Sequence, residues 1–203
     1  MGNSSSDNTT HGLWHWRIVQ LTVGLSVLSF AAIFAFGGFH EESTRQCIRL
    51  SAKISVVLFS MAFAASAVQG SLRNSFTFWW RMNRKFFGIS FAIVHLLHLS
   101  FLVLLQWCFH PVFTFAKTSS LLAGGTAYLF VVLMLLTSFE RFSKYLSKKN
   151  WKLLHTLGGW WIWGIFANSY GKRAMEEMEY VPFAGLLAAV LVLRVVALVQ
   201  KKQ

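Results

Sequence analysis

Six long apolar runs, near residues 18–36, 48–68, 86–109, 121–137, 153–169 and 181–199, use up most of this 203-residue chain. Most are close to the roughly 20 residues that a helix needs to cross a bilayer. Only 13% of the residues are charged, against about 25% in ordinary soluble domains. A period-two alternation of apolar and polar residues is absent, which argues against a membrane β-barrel. The runs predict an all-α integral membrane protein, a six-transmembrane-helix bundle filling residues 13–203 behind a disordered polar leader at 1–12. The second run is the least regular, with Arg49 and Lys53 in its first turns, and the fourth is short, with Gly124 and Gly125 near its start.

The net charge of +12 raises nucleic acid as a partner, and its distribution argues for a membrane instead. If the six runs alternate direction, Arg17, Arg73, Arg81, Arg84, Lys85, Arg141, Lys144, Lys148, Lys149, Lys152, Lys201 and Lys202 share one side. Arg45, Arg49, Lys53, Lys117, Lys172 and Arg173 share the other. Lys and Arg concentrate on the cytoplasmic side of membrane proteins, so both termini are expected in the cytoplasm. No cleavable signal peptide is expected, because the first run lacks a basic leader and has full span length. The expected location is a bacterial inner (plasma) membrane, with anionic lipid as partner of the basic face and no nucleic acid.

Segment 138–152 is strongly basic and spaces Phe142, Tyr145 and Leu146 for one helical face, so it is expected to lie along the membrane surface. Several of the nine tryptophans fall near run ends, as in an interfacial aromatic belt. Trp160, Trp161 and Trp163 sit too deep for that belt. Cys47 and Cys108 both fall near the outer surface; a disulfide and two separate buried thiols are both open readings, and no CxxC pair signals a zinc or dithiol site.

Three histidines lie within the runs. His95 and His98, spaced i, i+3, project from one face of the third, and His155 opens the fifth. Imidazoles in hydrocarbon are functional candidates by default, and histidines from two membrane helices can ligate a b-type heme. Gly158 and Gly159, one turn after His155, would let a flat macrocycle approach. Structural hydrogen bonding between helices is the competing reading. By depth, counted at about 1.5 Å per residue, His95 is the better partner of His155. Arg194, the one charge within the sixth run, could meet a heme propionate or snorkel to the surface; Arg81, Arg84 and Lys85 are alternative propionate partners. His40 and His110 read as interfacial residues. His11 and His15, spaced i, i+4, lack a third ligand for a metal.

Two stretches carry a family resemblance. Arg84-Lys85-Phe86-Phe87-Gly88-Ile89, followed by His95-Leu96-Leu97-His98-Leu99, resembles the third helix of ferric reductase-like transmembrane domains. Leu136-Thr137-Ser138 and then Trp151-Lys152-Leu153-Leu154-His155 resemble that family's Leu-Thr-Ser and Trp-x-x-Leu-His signatures. The likeness covers residues 84–170. It implies a six-helix bundle that holds b-type heme and moves electrons, with His98 and His155 at the ligand positions. Two departures stand out. Asn168 occupies the place where many members carry another histidine, thirteen residues after the first, and His95 and His98 are too close together to serve two hemes. One heme, or none, is therefore expected rather than two.

The expected function is that of a membrane b-type heme protein, the electron-transfer component of an oxidoreductase. No GxGxxG motif is present and the last run stops just before the final residue, Gln203. Electrons are thus expected from a quinol, a bound flavin or a separate reductase protein. A heme-free scaffold that binds a partner, or a small transporter, are the alternatives. Against the transporter, the runs hold almost no acidic residue for a coupling ion.

Overall fold

The computed structural model describes the backbone of residues 6–110 and 115–200, and the side chains of residues 15–110 and 124–200. Among the described residues all regular structure is helical. The elements are α1 (Ser6–Gly37), α2 (Glu41–Ser71), α3 (Ser75–Phe109), α4 (Phe115–Leu136), the four-residue α5 (Glu140–Ser143), α6 (Lys148–Glu176), a single 3₁₀ turn (Met178–Tyr180) and α7 (Val181–Gln200). The helix α1 starts at Ser6, inside the stretch that reads as a polar leader.

Among the described residues four helices are long and apolar enough to cross a membrane: α1 from His15, α2, α3, and α7 with its preceding turn. The fourth and fifth runs are not among these four. The fourth extends back into residues whose side chains are not described, and its described apolar part is Gly124–Leu136. In α6 the uncharged stretch between Lys152 and Lys172 is diluted by His, Thr, Gly, Trp, Asn and Ser, residues that do not favour hydrocarbon as Leu and Val do.

Capping residues set the helix ends. His40 is the N-cap of α2, its Nδ1 accepting from the Ser43 amide at 3.2 Å. Asn74 and Thr77 form a reciprocal capping box at the start of α3, which satisfies two amides that no carbonyl can reach. Pro182 stands in the first turn of α7, where a missing N–H costs nothing. The segment 138–152 does not form a surface helix. Four residues of helix and a turn lead straight into α6, and Tyr145 points into open surroundings.

At the centre, α2 packs against α1, α3 and α7, while α6 packs against α4 and α7. The α2 face that turns inward is made of small residues: Ser43, Thr44, Cys47, Ser51, Ser55 and Ser60 are all at most 2% exposed. Small side chains let membrane helices approach closely where lipid offers no hydrophobic drive. Below them a cluster of rings joins three helices. Phe59 lies 5.1 Å from Phe63, 5.3 Å from Phe91 of α3 and 5.5 Å from Phe166 of α6. The outside is apolar: Leu21, Leu25 and Leu28 of α1 are each more than 60% exposed, as suits a surface solvated by lipid.

Four tryptophans hydrogen-bond across the bundle. The indole N–H groups of Trp80 and Trp163 donate to the carbonyls of Met61 and Leu187, joining α3 to α2 and α6 to α7. Trp151 donates to the Thr137 carbonyl and Trp161 to the Thr126 hydroxyl. Cys47 is buried, Cys108 is exposed, and both are free thiols.

Candidate functional site

The helices place the three deep histidines at two levels. His155 stands in the second turn of α6, at the end of the bundle where α2 finishes at Ser71. Its Nε2 is 3.0 Å from the Thr137 hydroxyl oxygen. That hydroxyl donates to the Leu133 carbonyl at 2.7 Å, so its oxygen accepts and the proton sits on His155 Nε2. The lone pair is left on Nδ1. Trp151 stacks on the imidazole at 4.1 Å.

His95 and His98 lie further along the bundle, toward the Glu41 end of α2. The His95 ring is 5.5 Å from Phe166, a residue eleven positions after His155 and so roughly 16 Å along α6. Tyr128 stacks on the same ring at 4.8 Å, His98 at 5.4 Å and Phe91 at 5.3 Å. His95 Nδ1 is buried with no hydrogen-bond partner among the described residues. His98 Nδ1 lies 3.1 Å from the Ile48 carbonyl and 3.0 Å from Ser51 Oγ. A carbonyl only accepts, so this nitrogen carries the proton and Nε2 keeps its lone pair.

A cavity of about 780 Å³ opens beside His155, well within the size range of cofactor pockets. Phe59, Phe63, Phe91, Val131 and Met134 form its apolar wall; Arg81, Arg84, Lys85, Lys148 and Lys152 line it with Glu140 as the one acid. His95 and His98 are not among its lining residues. A bis-histidine heme does not fit these positions, because no helix-three imidazole stands opposite His155. The cavity beside His155 offers one imidazole, a ring-lined wall and a basic lining.

The glycines act differently from their expected role. A Cβ on Gly159 would come within 2.8 Å of the Phe63 ring, and one on Gly158 within 2.6 Å of Met134 Sδ. Their missing side chains admit protein groups; only Gly159, with Gly88, also borders the cavity. Arg194 does not line this cavity. Its guanidinium lies 3.8 Å above the Phe63 ring and 5.2 Å from Trp160, and it donates to the Phe63 carbonyl at 2.7 Å. Arg84 lines the cavity and donates to Ser66 Oγ at 3.1 Å.

The remaining histidines are structural in their contacts. His40 caps α2, and His110 ends α3 in a left-handed conformation (φ 44°). His15 stands 5.2 Å from the Phe86 ring; the side chain of His11, its neighbour in sequence, lies outside the described residues. Among the described residues no three His, Cys, Asp or Glu side chains gather as a metal site. Ser51 and Tyr128, the partners of the helix-three histidines, carry little signal as single residues. The four-residue spacing of Ser43, Cys47, Ser51 and Ser55 is the signal that could have exposed the α2 seam.

No known family model matches the chain, and no curated protein matches its sequence.

Proposed function

We propose that this chain is the electron-transfer component of a membrane oxidoreductase, carrying one b-type heme in the cavity beside His155. The observation that supports this reading is the cavity itself: an imidazole in the wall of an apolar, ring-lined space whose lining also holds Arg81, Arg84 and Lys152. In this reading His155 is the histidine ligand, through Nδ1, and Arg84 and Lys152 hold the propionates. Thr137 fixes the tautomer and Trp151 the ring plane, the kind of outer-shell support that metal-ligating histidines receive. A bound heme would supply one-electron redox chemistry, with its potential tuned by ligation and burial. The likeness of residues 84–170 to ferric reductase-like transmembrane domains supports the same reading.

The topology belongs to the proposal too. At 22 and 29 residues, α4 and α6 reach about 33 and 43 Å, enough to cross the hydrocarbon core. With six spans, both termini and the cavity face the cytoplasm of a bacterial inner membrane. Electrons would arrive from a quinol, a bound flavin or a separate reductase protein.

The test is a reduced-minus-oxidised visible spectrum of the detergent-purified protein, expressed with ample heme, beside His95→Ala, His98→Ala and His155→Ala. A b-type band near roughly 560 nm, lost only in His155→Ala, is the expected result. A band that survives His155→Ala and disappears with a helix-three variant would move the heme to the other level. A folded, heme-free protein would leave the second reading, a heme-free scaffold for a partner protein. That alternative is favoured by one observation: His155 and His98 each already have hydrogen-bond partners within the bundle.

A further inference from the structure

A larger cavity, about 1380 Å³, opens at the Ser71 end among α2, α3, α6 and α7. Five cations line it, Arg73, Arg81, Arg84, Lys152 and Arg194, and among the described residues no carboxylate does. The three ion pairs among the described residues (Arg45–Glu41, Arg49–Glu42 and Lys53–Glu179) all lie toward the Glu41 end of α2 or in the turn before α7. By contrast, Arg81 donates to Gln69 Oε1 at 2.9 Å, Arg84 to Ser66 Oγ and Arg194 to the Phe63 carbonyl. These acceptors are neutral. They orient the guanidinium groups without cancelling their charge, and each guanidinium has further N–H donors to offer.

A cleft lined by one sign of charge concentrates the opposite ion. The shape of the flank says which kind. Phe78 and Leu198 also line the cavity and are 56% and 53% exposed, giving an apolar side against which acyl chains can lie. Basic pockets between membrane helices bind anionic lipid headgroups in this way. We infer that this cavity is a binding site for an anionic phospholipid, its phosphate held between Arg73 and Arg194 and its chains lying along Phe78 and Leu198. The inference does not rest on the heme reading, since Arg73 and Arg194 line this cavity and not the smaller one.

The experiment is native mass spectrometry of the delipidated full chain, titrated with phosphatidylglycerol, phosphatidylcholine or inorganic phosphate. Phosphatidylglycerol is expected to bind one-to-one and more tightly than phosphatidylcholine. Arg73→Gln should weaken it about fivefold, and Arg73→Gln with Arg194→Gln about thirtyfold. Arg141→Gln with Lys144→Gln, on the same end but outside the cavity, should leave it unchanged. Arg73 is exposed and lies between helices, so its variant tests the site even if loss of Arg194 disturbs folding. Equal retention of the two lipids overturns the inference, as does an equal loss in the Arg141 and Lys144 variant. Displacement of phosphatidylglycerol by an equal concentration of inorganic phosphate overturns the assignment to a lipid.

Discussion

His155 and His95 are the same residue on facing helices, yet their surroundings differ in kind. Around His155 the bundle is open: a cavity on one side, cations at its edge, one hydroxyl contact and one stacked ring, Trp151. Around His95 it is closed, with Tyr128, His98, Phe91 and Phe166 all within 5.5 Å between ring centroids. The inward residues of α2 change along its length: Ser43, Cys47, Ser51 and Ser55 are buried toward the Glu41 end, and Phe59 and Phe63 toward the Ser71 end. A buried histidine therefore marks a candidate site only where its neighbours leave room for a ligand.

The largest effect that sharpens this contrast belongs to the boundary between the two levels. Gly159→Val should destabilise the fold by about 3 kcal/mol through overpacking against Phe63, read as a lower midpoint of unfolding in mild detergent. Next, His95→Ala is expected to cost about 2 kcal/mol and His155→Ala about 1 kcal/mol in that assay, because the first removes contacts with four rings and the second with Trp151 alone. Equal costs would mean that both levels are packed alike. Smaller still, Ser51→Ala should cost about 0.6 kcal/mol, the usual scale of a hydrogen bond between membrane helices. Finally, Lys53→Gln is expected to change stability by less than about 0.5 kcal/mol, since its Glu179 partner is half-exposed. That small loss should fade in high salt, whereas the Ser51 effect should persist.

Much of this was legible in the residues. Long uncharged runs dictate membrane helices, and α1, α2, α3 and α7 follow from them directly. Pro182 marks the start of α7 because a proline suits a first helical turn. The fifth run is harder to read, since Trp160, Trp161 and Trp163 serve as interhelical donors and ring contacts more than as hydrocarbon-seeking groups. The basic segment 138–152 has helical spacing at Phe142, Tyr145 and Leu146, but too few residues lie between Thr137 and the Ser147 cap for a helix to grow. Levels were the hardest part. A count of residues from run ends puts His95 nearer His155 than it is, because α3 runs to 35 residues and α6 to 29, so neither run end marks a common depth. Paired glycines likewise reveal a close approach without saying by what, and at Gly159 the approaching group is Phe63.

One contact between α1 and α3 bears on how the chain is made. Thr22 Oγ1 lies 2.8 Å from Ser90 Oγ, across 68 residues of sequence. A ribosome delivers α1 to the bilayer well before Ser90 has been synthesised. During that interval the Thr22 hydroxyl can donate to the Ile18 carbonyl at 2.7 Å, and Ser26 to the Thr22 carbonyl at 2.7 Å. Hydroxyls bonded to their own helix leave no polar group stranded in lipid. The first helix can thus wait alone in the membrane, and Ser90 joins a hydrogen bond that is already made.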